Sequence, residues 1–415
     1  MKTTFDYIDK ENVDMMLSAS ICELKYATVI PMMLGSKPDE IKGGVMHSSM
    51  ELKFHQYRGA AVNKKQQSLD LVTDLGFISS KSRCYLSLKG TFLYGGPIFN
   101  NFGHFLAECI HRCWALDYAE SQLGVKIDKV LFTPQVNPSF SFFYSKIYHL
   151  PPVYLEVLNY LGIPKHKIRC VFSPKTYEKL IVPQQASFFR AKQPVSKTYL
   201  NFLDRCEAKN VNSIKQRLYK KVYVSRKYFA LRGAFAGECY IEDFLIKNGF
   251  HIFYPEQHSI LTQLNMYKGA QEIIFAEGAA LHILELFGHV NAHISVLCRR
   301  RLCPEVFHSI LSPRVKFLTF MAEVETLPSL FFPDNSKKAA HGSALSILDT
   351  QSLLTFLERT HHLSIELFEQ NKYLASVKQD LNRYLTYYMS KINKGESKKL
   401  EAVKRFKVVM DKYSL

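Results

Sequence analysis

The segment 101–108, Asn-Phe-Gly-His-Phe-Leu-Ala-Glu, combines acid–base residue types with a pattern that predicts a helix. Residues four apart share one helix face, so we expect His104 beside Glu108, with Arg112 one turn further along. An imidazole next to a carboxylate is a common way to build a general base. The opposite face is apolar and should be buried, which would leave the polar face to line a cleft. A His–Glu pair that only stabilises a surface or a domain interface has the same pattern, and both interpretations stay open.

The region 221–301 predicts alternating strands and helices. The predicted strands are 221–224, 251–254, 271–276 and 293–298, and the predicted helices are 238–248, 259–268 and 278–287. Short connections between alternating elements indicate right-handed βαβ crossovers and a parallel sheet. We therefore predict a Rossmann-like domain here.

In an open parallel sheet, ligands bind beyond the carboxyl ends of the strands, and this rule selects three segments. They hold Ser225, Arg226 and Lys227 after the first strand, Glu256 after the second, and Glu277, Gly278, Ala279 and His282 after the third. Small residues at 278 and 279 would leave a helix N-terminus open to an anion, and Arg226 would add a guanidinium. The spacing matches neither a Walker A loop nor a full GxGxxG, and tight helix–sheet packing also explains the small residues.

These segments, in this order, resemble glycosyltransferase family 61. The resemblance covers residues 80–300 and rests on four motifs: 101–108 with Arg112 and Trp114, 224–227 with Arg232, 249–250 with 254–256, and 277–282. Many eukaryotic relatives have His-Gly-Ala-Gly-Leu in the fourth motif, whereas this chain has Glu277 first and a histidine at 282. That form is similar to bacterial members associated with capsule and surface-polysaccharide assembly.

The resemblance implies an α/β fold with two Rossmann-like domains of the GT-B type. It implies a nucleotide-sugar donor in the C-terminal domain and an oligosaccharide or lipid-linked glycan acceptor in the N-terminal domain. It also implies inversion in one displacement, without an obligatory metal or other cofactor. The expected function is transfer of a sugar to a growing bacterial capsular or surface polysaccharide, or to its lipid-linked precursor.

The resemblance also implies roles for the candidate residues. His104, oriented by Glu108, would be the general base on the acceptor hydroxyl. The leaving diphosphate would be neutralised by Arg226, Lys227 and the helix end at Gly278. Glu256 or Glu277 would bind hydroxyls of the ribose or the sugar, and His282 would contact a phosphate or the sugar. The remaining donor contacts would come from Ser225 and Ala279.

We expect three parts along the 415 residues: an N-terminal acceptor-side α/β domain over 1–210, the nucleotide-sugar domain over 211–330, and a helical extension with a basic tail over 331–415. The first part should contain strands at 26–34, 83–94, 130–132 and 168–172 and a helix at 153–161, with an irregular or helical connector at 187–216. Asp349 should cap a helix through Thr360, and Ser364 a longer one through Tyr388.

The net charge of +17 favours anionic partners. Basic residues are spread along the chain while Phe and Tyr fall at core spacings, which disfavours a nucleic-acid-binding protein but leaves it as an alternative. A sugar-phosphate transferase of a phosphodiester-linked polymer is a second alternative, since it needs the same anion site. The basic tail 391–415 has an apolar stripe that suits an anionic membrane or its own protein.

Nine scattered cysteines without a CxxC pair indicate a reducing compartment and disfavour zinc. We find no DxD motif and no secretory signal pattern in the sequence. The expected location is therefore cytoplasmic, with or without attachment to the inner face of the cytoplasmic membrane.

Overall fold

The computed structural model describes residues 21–34, 41–46, 87–135, 149–187, 195–210, 219–327, 344–390 and 397–412. The chain divides into two compact units. Unit 1 is Met1–Ser213 with Glu285–His289, and unit 2 is Ile214–Leu284 with Val290–Leu415. Both units contain parallel strands and helices, so the predicted α/β class is confirmed.

Unit 1 holds a six-stranded mixed sheet in the order β2-β1-β6-β3-β4-β5. The strands are β1 Ile21–Leu34, β2 Ile41–Met46, β3 Leu88–Ile98, β4 Lys129–Pro134, β5 Ile168–Cys170 and β6 Lys175–Pro183. Four of them, β6-β3-β4-β5, run parallel, whereas β1 pairs antiparallel with β6 and with β2. The strands predicted within 26–34, 130–132 and 168–172 are confirmed. The strand predicted at 83–94 covers Leu88–Ile98, and residues 83–86 lie outside the described residues.

The helices of unit 1 begin within the segment 101–108. They are α1 Phe102–His104, continued by a π-helical turn Phe105–Cys109, then α2 Trp114–Ser121, α3 Pro152–Tyr160 and α4 Lys197–Asn210. The predicted helix at 153–161 is confirmed as α3, which begins at a proline as expected. The predicted connector at 187–216 contains α4, and its residues 188–194 and 211–216 lie outside the described ranges.

Unit 2 holds a five-stranded, wholly parallel sheet in the order β11-β10-β9-β7-β8. Its strands are β7 Lys221–Val224, β8 His251–Phe253, β9 Glu272–Ala276, β10 Val290–Leu297 and β11 Val315–Met321, with helices α5 Glu238–Lys247, α6 Ile260–Gly269 and α7 Cys303–Leu311. The four predicted strands are confirmed, and β11 adds a fifth. The chain passes from β7 to β8 on one side and then to β9 on the other, so the sheet's switch point lies between β7 and β9.

The helix predicted at 278–287 is wrong in type: the structure has a 3-10 helix, Ala279–Leu286. Nearly every side chain of 281–287 is buried, rather than one stripe of them. A segment buried on all sides takes its conformation from the surrounding packing more than from helical periodicity.

The C-terminal helices α8 Thr350–His361, α9 Gln370–Met389 and α10 Ser397–Lys412 join the core of unit 2. The Asp349 cap is confirmed, since its side chain accepts a hydrogen bond from Ser352 N. The Ser364 cap is wrong, because Ser364 precedes a 3-10 turn, Ile365–Leu367, and α9 begins only at Gln370. The short turn ends the helix that a continuous apolar pattern suggested. Among the described residues, no helix has the length and apolarity needed to cross a membrane.

Candidate active site

Two predicted segments meet at the switch point of the unit 2 sheet. Arg226 follows β7 and Gly278 follows β9, and a Cβ atom added to Gly278 would lie 2.6 Å from Arg226 Nη1. The guanidinium therefore rests directly against the glycine, and a side chain at 278 would displace it. This contact places a cation where open parallel sheets bind their ligands.

Glu277 organises two further arginines at the same edge. Its Oε2 accepts hydrogen bonds from the backbone N–H groups of Arg299 (2.7 Å) and Arg300 (3.0 Å). Its Oε1 accepts from the Arg300 guanidinium through Nε at 2.6 Å and through Nη2. The Glu277 backbone carbonyl accepts from Arg299 Nε at 2.8 Å. Glu277 is fully buried, so its carboxylate holds arginines rather than facing solvent.

Arg226, Arg299 and Arg300, called the arginine cluster below, lie close enough for their positive charges to repel one another. Burial lowers the pKa of Arg226. Burial and the nearby Arg226 charge lower the pKa of Arg299 to about 9. A lowered arginine pKa means that the charged form is destabilised by its surroundings. A bound anion would offset that cost and would find donors suited to phosphate oxygens.

The loop that carries Arg226 is anchored by two buried carboxylates. Glu238 Oε1 accepts from the Arg226 backbone N–H at 2.7 Å, and Glu242 Oε1 accepts from Ser225 Oγ at 2.6 Å. Lys227 Nζ donates to Glu242 and, at 2.9 Å, to the Tyr254 hydroxyl. Ser225 and Lys227 are thus engaged within the protein, where they fix the backbone next to Arg226.

The remaining predicted residues of this edge differ in exposure. Glu256 is exposed in the 3-10 turn Pro255–Gln257 that follows β8. Ala279 is half-buried at the start of the 3-10 helix after β9. His282 is only 7% exposed, and its ring centroid lies 5.1 Å from that of Phe307. Glu256 is therefore the carboxylate of the predicted set that faces solvent here.

The predicted pairing of His104 with Glu108 is confirmed in unit 1. The Asn101 side chain accepts a hydrogen bond from His104 N at 3.2 Å and caps α1. His104 Nδ1 lies 2.6 Å from Glu108 Oε1 across the π-helical turn. Glu108 is completely buried, whereas the His104 side chain is 29% exposed. The carboxylate therefore holds the imidazole from the protein side, and the imidazole reaches solvent.

The expectation that Arg112 extends this polar face into a cleft is wrong. Arg112 is 1% exposed, and its Nη1 donates to Gln185 Oε1 at 2.8 Å. The π-helical turn and the irregular residues after it interrupt the α-helical spacing, so the stripe does not continue. Arg112 instead packs beside Gly96, where a Cβ atom would lie 2.9 Å from Nη1.

Sequence reasoning missed three polar residues that the structure places near these groups. Arg299 and Arg300 follow β10, so the strand-end rule applied to the fourth predicted strand would have selected them. His111 is buried, with Nδ1 2.9 Å from the Tyr199 hydroxyl and Nε2 3.5 Å from Glu285 Oε2. His111 Nε2 also lies 3.1 Å from the local Ala107 carbonyl oxygen, but both side-chain partners are distant in sequence, so no local signal marks them. Within the described ranges, no group of three or more His, Cys, Asp or Glu side chains is arranged to hold a metal ion.

Unit 2 thus has an arginine cluster at the switch point of a parallel sheet, and unit 1 has a carboxylate-held histidine that reaches solvent. The model of the family Glycosyltransferase 61 matches residues 102–287. That range includes the His104–Glu108 pair and the contact of Arg226 with Gly278. The chain therefore carries a glycosyltransferase family 61 domain over these residues and is a glycosyltransferase. No curated protein matches the chain.

Proposed function

We propose that this glycosyltransferase inverts the anomeric centre while it moves a sugar from a nucleoside diphosphate to a bacterial capsular or surface glycan, or to its lipid-linked precursor. The arginine cluster at the switch point of the unit 2 sheet carries the proposal. Its guanidiniums, buried for Arg299 and half-buried for Arg226 and Arg300, lie where a parallel sheet binds ligands, and the lowered pKa values of Arg226 and Arg299 favour an anionic occupant.

The arginine cluster would neutralise the leaving nucleoside diphosphate. As the bond from the sugar to the phosphate oxygen breaks, that oxygen keeps the electron pair and gains negative charge. Guanidiniums fixed by Glu277 and by the Arg226 loop are already oriented toward such charge, which is how preorganised donors lower a barrier. The proposal assigns this role to protein groups and requires no metal ion.

His104 would be the general base. With Glu108 accepting from Nδ1–H, the neutral imidazole has its lone pair on Nε2. Nε2 would take the proton of the acceptor hydroxyl while that oxygen attacks the anomeric carbon. The buried Glu108 carboxylate would then stabilise the imidazolium that forms. One displacement of this kind inverts the anomeric configuration.

The ribose hydroxyls of the donor are assigned to Glu256. Of the two carboxylates considered for this role, Glu277 already accepts hydrogen bonds from both arginines, whereas Glu256 is exposed after β8. Ser225 and Lys227 would act by fixing the loop, and Gly278 by admitting Arg226. Ala279 and His282 would line the same edge of the sheet.

We further propose that the fold is of the GT-B type. The wholly parallel sheet of unit 2 and the four parallel strands of unit 1 support a Rossmann-like origin for each unit. A cytoplasmic location with contact to an anionic membrane is part of the proposal. Val403 and Phe406 of α10 are buried in unit 2, while Lys404 and Lys407 are exposed. Such a contact would rest on the exposed lysines, with the exposed Leu400 and Val408 of the same helix beside them.

The test is a transfer assay with UDP-, GDP-, dTDP- and CMP-sugars, using simple aryl glycosides as acceptors. We expect one of the UDP-, GDP- or dTDP-sugars to release its nucleoside diphosphate and to give a product of inverted configuration by NMR, whereas CMP-sugars, which release a monophosphate, should not react. His104→Gln should slow transfer by roughly 10²- to 10⁴-fold while it leaves nucleotide binding unchanged. A product that keeps phosphate would indicate a sugar-phosphate transferase instead. A product of retained configuration would contradict the role of His104.

A further inference from the structure

One exposed aromatic side chain stands next to the arginine cluster in the chain. Tyr228 follows Arg226 by two residues, in the 3-10 helix Lys227–Arg232, and is 60% exposed. A single exposed aromatic residue is ordinary on a protein surface. Tyr228, however, lies only two residues from a proposed phosphate ligand.

The Tyr228 ring is held by contacts on one side. Its centroid lies 4.9 Å from that of Tyr254, with the ring planes tilted by 57°. Lys227 Nζ lies 5.5 Å from the Tyr228 centroid and 5.1 Å from the Tyr254 centroid. Lys227 is in turn anchored by Glu242. The aromatic surface is therefore positioned in advance, so a ligand that stacks on it would lose little entropy in ordering it.

The sheet order places this aromatic surface on the β8 side of the arginine cluster. Tyr228 follows β7 and Tyr254 follows β8, whereas Arg299 and Arg300 follow β10 on the other side of the switch point. Neighbouring strands are about 4.8 Å apart. Tyr228 thus follows a strand of the switch point itself, and Tyr254 follows the next strand, about one strand spacing further from β9. Glu256, the proposed ribose ligand, follows the same strand as Tyr254.

We infer that Tyr228 is the surface on which the nucleobase of the donor stacks, with Lys227 and Tyr254 positioning its ring. The inference rests on the proposed function, because it assumes a nucleotide whose phosphates occupy the arginine cluster. Every nucleobase has a flat π face, so Tyr228 adds affinity without selecting one base. The ring supplies the contact, so phenylalanine should replace it.

Isothermal titration of the full chain with inorganic pyrophosphate and with UDP, GDP, CDP and dTDP separates the contribution of the nucleobase to the binding affinity from that of the phosphates. Tyr228→Ala should weaken the tightest nucleoside diphosphate by about tenfold, which corresponds to about 1.4 kcal/mol. Its affinity for pyrophosphate should stay within about twofold of wild type, since the arginines are untouched. Tyr228→Phe should bind like wild type. Tyr387→Ala, which removes another exposed tyrosine of unit 2, should also change nothing.

Three results overturn the inference while the proposed function stands. One is nucleotide affinity in Tyr228→Ala equal to wild type. Another is an equal loss for pyrophosphate and nucleotide, which would place Tyr228 at the phosphates. If wild type binds pyrophosphate but gains nothing from any base, the stacking role is also refuted. If wild type binds no nucleoside diphosphate, the proposed function itself fails, and the inference fails with it.

Discussion

Gly278→Ala tests the contact on which the donor site depends. The new Cβ atom would lie 2.6 Å from Arg226 Nη1, whereas ordinary contacts begin near 3.4 Å, so the guanidinium has to retreat by about 0.8 Å. Hydrogen bonds between a guanidinium and a phosphate are about 2.7–2.9 Å long, and a retreat of this size breaks one. A hydrogen bond to a charged group contributes about 1.5–3 kcal/mol. We therefore expect nucleoside diphosphate affinity to fall roughly 10- to 150-fold.

The substitution should leave the fold intact. Gly278 does not occupy the left-handed region of φ, and the atom displaced is the far end of a side chain. The unfolding free energy should therefore change by less than about 1 kcal/mol. Isothermal titration measures the affinity, and urea denaturation checks the fold.

Arg226→Ala provides the internal control for this prediction. In that background there is no guanidinium to displace, so adding Gly278→Ala should cost no further affinity. An affinity within twofold of wild type for Gly278→Ala alone would refute the reasoning. Equal losses from Gly278→Ala in both backgrounds would refute it too, because the loss would then not act through Arg226.

Three further predictions concern charged residues. Glu108→Gln should lower kcat by at least about tenfold and leave nucleotide affinity unchanged, because the imidazolium of His104 loses its stabilising charge; an unchanged kcat would remove Glu108 from the mechanism. Glu277→Gln should lower the unfolding free energy by about 1.5–3 kcal/mol, because the half-buried Arg300 guanidinium and the backbone N–H groups of Arg299 and Arg300 lose a charged acceptor. The exposed Glu256→Gln should change it by at most about 0.5 kcal/mol in the same urea titration, and similar losses for both would contradict the account. Burial raises the pKa of Glu238 from 4.5 to about 7, so stability should decline as the pH rises across that window. Glu238→Gln should abolish up to about 3 kcal/mol of that decline, and parallel stability curves for the two proteins would contradict this.

Local patterns in the sequence were sufficient to predict four of the five strands in the sheet of unit 2. The strand at 221–224 and the Ser259 cap of α6 each depend on a few neighbouring residues, and both match the structure. The pairing of His104 with Glu108 is equally local, since a separation of four residues brings side chains together within one turn. Predictions of this kind depend on no contact between distant parts of the chain.

The errors occurred where distant contacts decide the outcome. The 3-10 helix Ala279–Leu286 is set by burial on all sides, which apolar periodicity alone does not reveal. Arg112 leaves the polar face because a π-helical turn precedes it, and Gln185 accepts its hydrogen bond from elsewhere in the sequence. The hydrogen bonds from Arg299 and Arg300 to Glu277 depend on the pairing of β9 with β10, which no local pattern reveals. The contacts of Glu277 with Arg299 and Arg300, and of Gly278 with Arg226, bring three sequence segments together in the arginine cluster.

The central claim is that nucleoside diphosphates bind at the arginine cluster. Thermal unfolding of wild type, Arg300→Ala and Arg301→Ala with UDP, GDP, CDP and dTDP tests it most directly, because a ligand that binds only the folded protein raises its melting temperature. Arg300 donates to Glu277 within the cluster, whereas Arg301 is the exposed next residue and serves as the matched control. We expect one or more nucleotides to stabilise wild type and Arg301→Ala alike and to stabilise Arg300→Ala much less. Equal stabilisation of all three proteins, or none of wild type by any nucleotide, would contradict the claim.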